Sequence, residues 1–184
     1  MIRKILWSSL AGYLLFKSYE ANFWYLAVAA FVILIWVLDL SCRKERILLL
    51  VFFSAVNFSL QFTWLKVIGP DAWLLVTLLS VLAWPVLGLI KIDRNRFSSL
   101  IIFASGVVVG EAIRSHIPFG GFPWALVAYS QVDGPLVFLA QVGSTSLVTF
   151  SVIVLAGIVF QLFSRKFFSR TVFLLIFMDG IYLK

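Results

Sequence analysis

The chain has 184 residues, enough for one ordinary domain, but 62% of them are hydrophobic and only 12% are charged. A soluble domain carries about 45–50% apolar and about 25% charged residues, so a water-exposed globule is excluded and lipid is the solvent that fits. The net charge of +7 does not point to nucleic acid, because the positive residues sit in short clusters between apolar runs and not on one face or in one tail.

The runs predict an all-α integral membrane protein, a polytopic helical bundle of about seven helices forming a single transmembrane domain over residues 1–184. The first run, 5–16, follows Arg3 and Lys4, as the core of a signal peptide would. Lys17, Ser18, Tyr19 and Glu20 come next in place of a small-residue cleavage site, so this is read as an uncleaved first helix. Further spans are expected at 23–38, 47–65, 72–90 and 97–113, the longer ones 19 residues. Such a run measures about 28 Å, against a hydrocarbon core of about 30 Å. Pro85 predicts a kink within the fourth.

Residues 114–134 form an outer loop. The apolar stretch 135–163 has 29 residues, too many for one upright span, and Gly143, Ser144, Thr145 and Ser146 interrupt it. It divides into an interfacial segment, 135–142, and a sixth helix, 144–163. A last run at 171–183 has 13 residues and contains Asp179, so the chain is expected to stop within that element.

Orientation follows from counting basic residues. With a cytoplasmic N-terminus, the inner segments hold Arg3, Lys4, Arg43, Lys44, Arg46, Lys91, Arg94, Arg96, Arg165, Lys166 and Arg170, 11 of the 15 Lys and Arg residues. Lys17, Lys66, Arg114 and Lys184 fall outside. Basic loops stay on the cytoplasmic side, which places the 114–134 loop on the exterior. Trp24, Trp64, Trp73 and Trp124 lie near the outer boundaries, where amphipathic rings are favoured.

Few residues suggest chemistry. The single cysteine, Cys42, sits in a basic cluster at a helix end, and the single histidine, His116, in the outer loop. Neither builds a metal site, and no phosphate-binding or hydrolase motif occurs. No catalytic residue, metal or cofactor is therefore expected. Asn57 and Gln61 share a face of the third helix and are expected to hydrogen-bond to a neighbour. Glu111 and Arg114, three apart at the end of the fifth helix, are expected to form a structural ion pair fixing the start of the outer loop. In that loop, Pro118 and Pro123 prevent a continuous helix. Gly120 and Gly121 permit tight turns. Asp133 and Pro135 suit the start of the next helix.

Glu111-x-x-Arg114, then Gly121-Phe122-Pro123-Trp124, then Tyr129-Ser130-Gln131-x-Asp133-Gly134-Pro135, resembles the apolipoprotein N-acyltransferase family over about 25 residues. Weaker similarity extends through Thr63-Trp64-Leu65 and Gly69-Pro70-x-Ala72-Trp73. The resemblance implies a protein of the bacterial cytoplasmic membrane whose family moves an acyl chain from a phospholipid to the N-terminal cysteine of an apolipoprotein. A nitrilase-like domain carries the catalytic glutamate, lysine and cysteine of that family, and the sequence stops where that domain should begin. The expectation is therefore a membrane-domain fragment, inactive alone, either a truncated gene product or one half of a split enzyme completed by a separately encoded nitrilase-like domain. By the same resemblance, Glu111, Arg114, Gly121, Phe122, Pro123, Trp124, Tyr129, Ser130 and Gln131 form a lipid- and domain-docking loop. Alternatives are a small polytopic transporter, an accessory or assembly protein, or a non-functional remnant.

Overall fold

The computed structural model describes residues 1–93, 95–117 and 120–179, with side chains as far as residue 163. Six α-helices occur among these residues, close to the number expected: α1 Ile2–Lys17, α2 Tyr25–Asp39, α3 Arg43–Gln61, α4 Pro70–Leu82, α5 Phe97–Arg114 and α6 Ala140–Asp179. Short 3-10 turns occur at Thr63–Val67, Pro85–Leu89, Val127–Gln131 and Pro135–Leu139. No strand occurs among the described residues. Pro70–Leu89, Phe97–Arg114 and Pro135–Phe163 are long and apolar enough to cross a membrane, and Tyr25–Asp39 is a shorter apolar helix. The fold is that of a helical membrane protein. Among its outward-facing leucines, Leu74, Leu75, Leu78 and Leu82 on α4 are 50–67% exposed, as a lipid-facing surface requires.

Helix association in lipid depends on close packing and on small residues, because burying apolar surface gains little when the solvent is itself apolar. α1 follows this rule. Its buried positions Ser8, Ala11, Gly12 and Leu15 recur at helical spacing and face α3. A Cβ at Gly12 would lie 2.3 Å from the Phe53 carbonyl oxygen, so only glycine permits this approach. Ser8 Oγ donates to the Leu49 carbonyl at 2.6 Å across the same interface. The core then continues through aromatic rings, with Phe53 5.9 Å from Phe31 and 5.0 Å from Trp84. α6 closes the bundle against α2 and α5.

Two helices break where the backbone demands it. α4 ends at Leu82, and the chain passes Pro85 as a 3-10 turn, because proline has no N–H and crowds the carbonyl four residues back. α6 leaves helical geometry at Gly143 and Ser144, where Ser144 has φ 56°. Beyond that break it runs on to Asp179, so the sixth and seventh expected segments are continuous that far. No glycine or proline occurs from 158 to 179 to interrupt them, and charged side chains alone do not end a helix. The remainder of the 171–183 segment lies outside the described residues.

Asn57 does not make the contact expected of it. It is 1% exposed on α3, yet its Oδ1 has no hydrogen-bond partner.

Contacts sort the connecting segments onto two ends. At one, Lys4 Nζ bonds the Leu40 carbonyl at 2.6 Å and Glu45 at 2.8 Å. Arg46 donates to the carbonyls of Gly88 and Ser41, each at 3.0 Å. We term this the basic end. At the other, Gln131 Nε2 donates to the Trp24 carbonyl at 3.1 Å and Trp73 Nε1 to the Ser59 carbonyl at 3.0 Å. This loop end carries the 115–139 connection.

Candidate functional site

The loop end is organised by the last turn of α5. Glu111 and Arg114 face the 115–139 connection together, as their spacing requires, but they do not form the direct ion pair expected of them. Each is committed to loop backbone. Glu111 Oε1 accepts the Val127 N–H at 2.7 Å, and Oε2 accepts the Thr149 hydroxyl at 2.8 Å. Arg114 Nη1 donates to the carbonyls of Phe122 at 2.9 Å and Trp124 at 2.6 Å, and Nη2 lies 3.4 Å from that of Ala125. The physical reason is demand. Irregular backbone packed into the bundle leaves carbonyls and N–H groups that no helix satisfies, and each buried orphan costs about 1–3 kcal/mol. A guanidinium presents a fork of donors and a carboxylate two acceptors, so the pair answers both needs.

Two features hold the loop in register. The Phe122 N–H donates to the Arg114 carbonyl at 2.9 Å, folding the chain back onto the helix end. That return needs Gly121 at φ 80°, where a Cβ would sit 2.0 Å from the Ser115 carbonyl carbon. Ala125 also has positive φ, 55°. For alanine this conformation costs about 1–2 kcal/mol, and it is held by burial to 5% exposure and by its carbonyl's contact with Arg114.

The following turn is equally tied down. Ser130 Oγ donates to the Val127 carbonyl at 2.7 Å and accepts from Gln131 Nε2 at 3.0 Å. Thr149 Oγ1, besides donating to Glu111, accepts the Ala128 N–H at 3.1 Å, which joins α6 to the same network. Asp133 does not cap the next helix as expected. Its carboxylate accepts the Asn22 N–H at 3.1 Å, and Gly134 stands before Pro135 instead. The α1–α2 connection is thereby stapled to the loop. Nearby, the Tyr19 hydroxyl is buried without a partner, and burial raises its pKa.

An aromatic series leads from this network to the surface. The Arg114 guanidinium stands 5.2 Å over Phe58, Phe58 stacks on Phe62 at 5.4 Å, and Phe62 meets Phe122 at 5.3 Å. Phe122 lies 6.2 Å from Trp124, which lies 5.4 Å from Trp64. Trp124 and Tyr129 are 55% and 42% exposed, and Pro123 is also exposed. Thus Glu111, Arg114, Gly121, Phe122, Ser130 and Gln131 converge on one network, while Pro123, Trp124 and Tyr129 form its outer face. His116 is exposed, its Nδ1 2.7 Å from the Ala112 carbonyl, and Cys42 is exposed at the opposite end.

The cavity beside Glu111 and Arg114, lined also by Phe58, Trp84 and Gly110, measures about 10 Å³. That is room for about one water molecule and none for a headgroup. The pair is a clamp on the loop, not a ligand pocket. Sequence reasoning missed Thr149, whose only signal was a hydroxyl residue isolated among Val148 and Phe150.

Fold and site together define a class: a helical membrane protein whose ordered, aromatic-faced loop is clamped at one end by a half-buried carboxylate and a buried guanidinium. The profile of the apolipoprotein N-acyltransferase N-terminal domain matches residues 11–158, and the chain belongs to that family. It is similar to the apolipoprotein N-acyltransferases of Aquifex aeolicus strain VF5, at 30% identity over 89% of this chain and 38% of the relative. Similar relatives occur in Haemophilus influenzae, at 28% over 89% and 33%, and in Pasteurella multocida strain Pm70, at 28% over 86% and 32%. The chain thus spans about a third of the length of the curated relatives it matches.

Proposed function

We propose that this chain is the membrane platform of an apolipoprotein N-acyltransferase. It crosses the bacterial cytoplasmic membrane several times, with the basic end in the cytoplasm and the loop end on the outer face. There the loop of Gly121, Phe122, Pro123, Trp124, Tyr129, Ser130 and Gln131 docks the phospholipid donor and a nitrilase-like domain, and the apolipoprotein substrate is met on the same face. The observation that carries this reading is the clamp. Glu111, Thr149 and Arg114 hold irregular backbone rigidly, so that Trp64 and Trp124 stand exposed where aromatic rings favour the lipid–water boundary. The split of basic residues between the two ends supports the orientation.

Acyl transfer in this family, by resemblance, passes through a cysteine thioester. The only cysteine of this sequence is Cys42, exposed at the basic end, away from the clamp. The chain by itself is therefore expected to be inactive and to act with a nitrilase-like domain.

Two measurements test this. Topology reporters placed beside Trp124 and beside Asn95 should report opposite sides of the membrane, with Asn95 in the cytosol. Two cytosolic signals would sink the orientation. Labelled phospholipid and an apolipoprotein acceptor, incubated with this chain alone, should yield no N-acylated product. Product formation would refute the platform role.

A further inference from the structure

The basic end holds a cavity that the clamp and its loop do not use. It opens beside the first turn of α5 and measures about 390 Å³. Lys91, Asp93, Arg96, Ser98 and Ser99 line its polar part, and Ile90 and Ile102 its apolar part.

Three observations set its chemistry. First, α5 begins without a side-chain cap and has no acidic residue in its first turn; the Ser99 N–H reaches the Arg96 carbonyl at 3.1 Å, which leaves the Phe97 and Ser98 N–H groups at the positive helix pole without an acceptor among the described residues. Second, the described lining side chains add two cations against one carboxylate. Arg96 Nε lies 3.7 Å from Asp93 Oδ2, a loose pairing, while Lys91 and the Ser98 hydroxyl have no partner among the described residues. This differs from Lys4 and Arg46 at the same end, which are engaged by Glu45 and by carbonyls. Third, Ile102 is one helical turn deeper than Ser98 on the same face and is 56% exposed, so the cavity passes from cationic and hydroxylic to apolar along α5. The turn itself is held in place: the Asp93 N–H donates to Ser99 Oγ at 3.1 Å, and Ser99 Oγ donates to the Arg96 carbonyl at 2.7 Å.

We propose that this cavity binds the headgroup of an anionic phospholipid, with the phosphate against Lys91, Arg96, Ser98 and the α5 N-terminus and an acyl chain along Ile102. A single negative charge matches the excess of one cation among the described lining residues. The volume accommodates a phosphate with a small alcohol, and the apolar lip opens towards lipid. The inference rests on membrane insertion and is independent of the acyl-transfer reading.

The test uses the full chain purified in a neutral detergent, titrated with dihexanoyl phosphatidylglycerol, dihexanoyl phosphatidylcholine or sodium phosphate, with the thermal unfolding midpoint read at each concentration. The glycerol lipid should raise the midpoint saturably, the choline lipid should not, and phosphate should act only at far higher concentration. Lys91→Gln combined with Arg96→Gln should weaken the apparent affinity by about tenfold or more. Ser98→Glu is the variant that separates binding from folding. An acid in the first turn favours the helix, so the lipid-free midpoint should hold or rise while the lipid response disappears. Arg43→Gln with Lys44→Gln should leave the response intact. Equal response to both lipids, or an undiminished response in Ser98→Glu, would overturn the proposal. Phosphate matching the glycerol lipid would show a free-anion site and overturn the lipid assignment.

Discussion

Among the described residues, each end of the bundle contains one buried arginine, and the two do related work on different scales. Arg46, 7% exposed, clips the carbonyls of Ser41 and Gly88, joining two chain turns that already lie beside helix ends. Arg114, 8% exposed, holds the carbonyls of Phe122, Trp124 and Ala125 within a long connection that has no helix of its own beyond two 3-10 turns. It is also seconded by Glu111 and Thr149, which take the N–H groups that Arg114 cannot. Where irregular backbone is buried against helices, its polar groups have to be met by side chains. The amount of buried chemistry therefore scales with the length of backbone to be satisfied, which is why the loop end is the more committed region.

The largest expected effect breaks that asymmetry directly. Arg114→Leu strands three carbonyls and releases strained Ala125, and should cost about 3–5 kcal/mol, whereas Arg46→Leu, stranding two, should cost less. Thermal unfolding of both variants in one detergent gives the order, and equal losses would remove the distinction between the ends. Arg114→Lys keeps the charge without the fork and should recover only part of the loss.

Next comes the loop return. Gly121→Ala meets the Ser115 backbone and a disfavoured φ, for a cost of about 2–4 kcal/mol. Gly120→Ala, with φ 92° and nothing within 4 Å of the added carbon, carries the conformational cost alone, about 1–2 kcal/mol. Protease cleavage within 115–134 should accelerate more in the first variant than in the second.

Thr149→Val keeps the shape but removes the hydroxyl shared by Glu111 and Ala128. A loss of about 1–3 kcal/mol is expected, and a neutral result would mean that α6 does not contribute to the clamp.

The smallest effect belongs to the basic end. The Lys4 ammonium holds Glu45 below its ordinary value of 4.5. A carboxylate depressed in the folded state contributes stability that is present above 4.5 and is lost as pH falls through the lowered value,. Unfolding midpoints of the native chain and Glu45→Gln should differ slightly at neutral pH, with the gap closing in acid and narrowing in high salt.

Much of this protein follows from sequence alone. Apolar run lengths and the spacing of basic clusters determine that the chain is a helical membrane protein, because lipid tolerates little else. The motif from Glu111 to Pro135 determines the family. That Glu111 and Arg114 share a face also follows from their spacing of three.

What they bind does not, and only the tertiary structure decided it. From sequence the two charges point to each other; in the fold both turn to backbone groups 8 to 16 residues away and to Thr149, 38 residues from Glu111. The reason is that hydrogen-bond demand arises from where irregular chain becomes buried, and burial is a property of packed helices and not of any local run. The same reason explains why Asp133 serves Asn22 across 111 residues instead of capping its own neighbour.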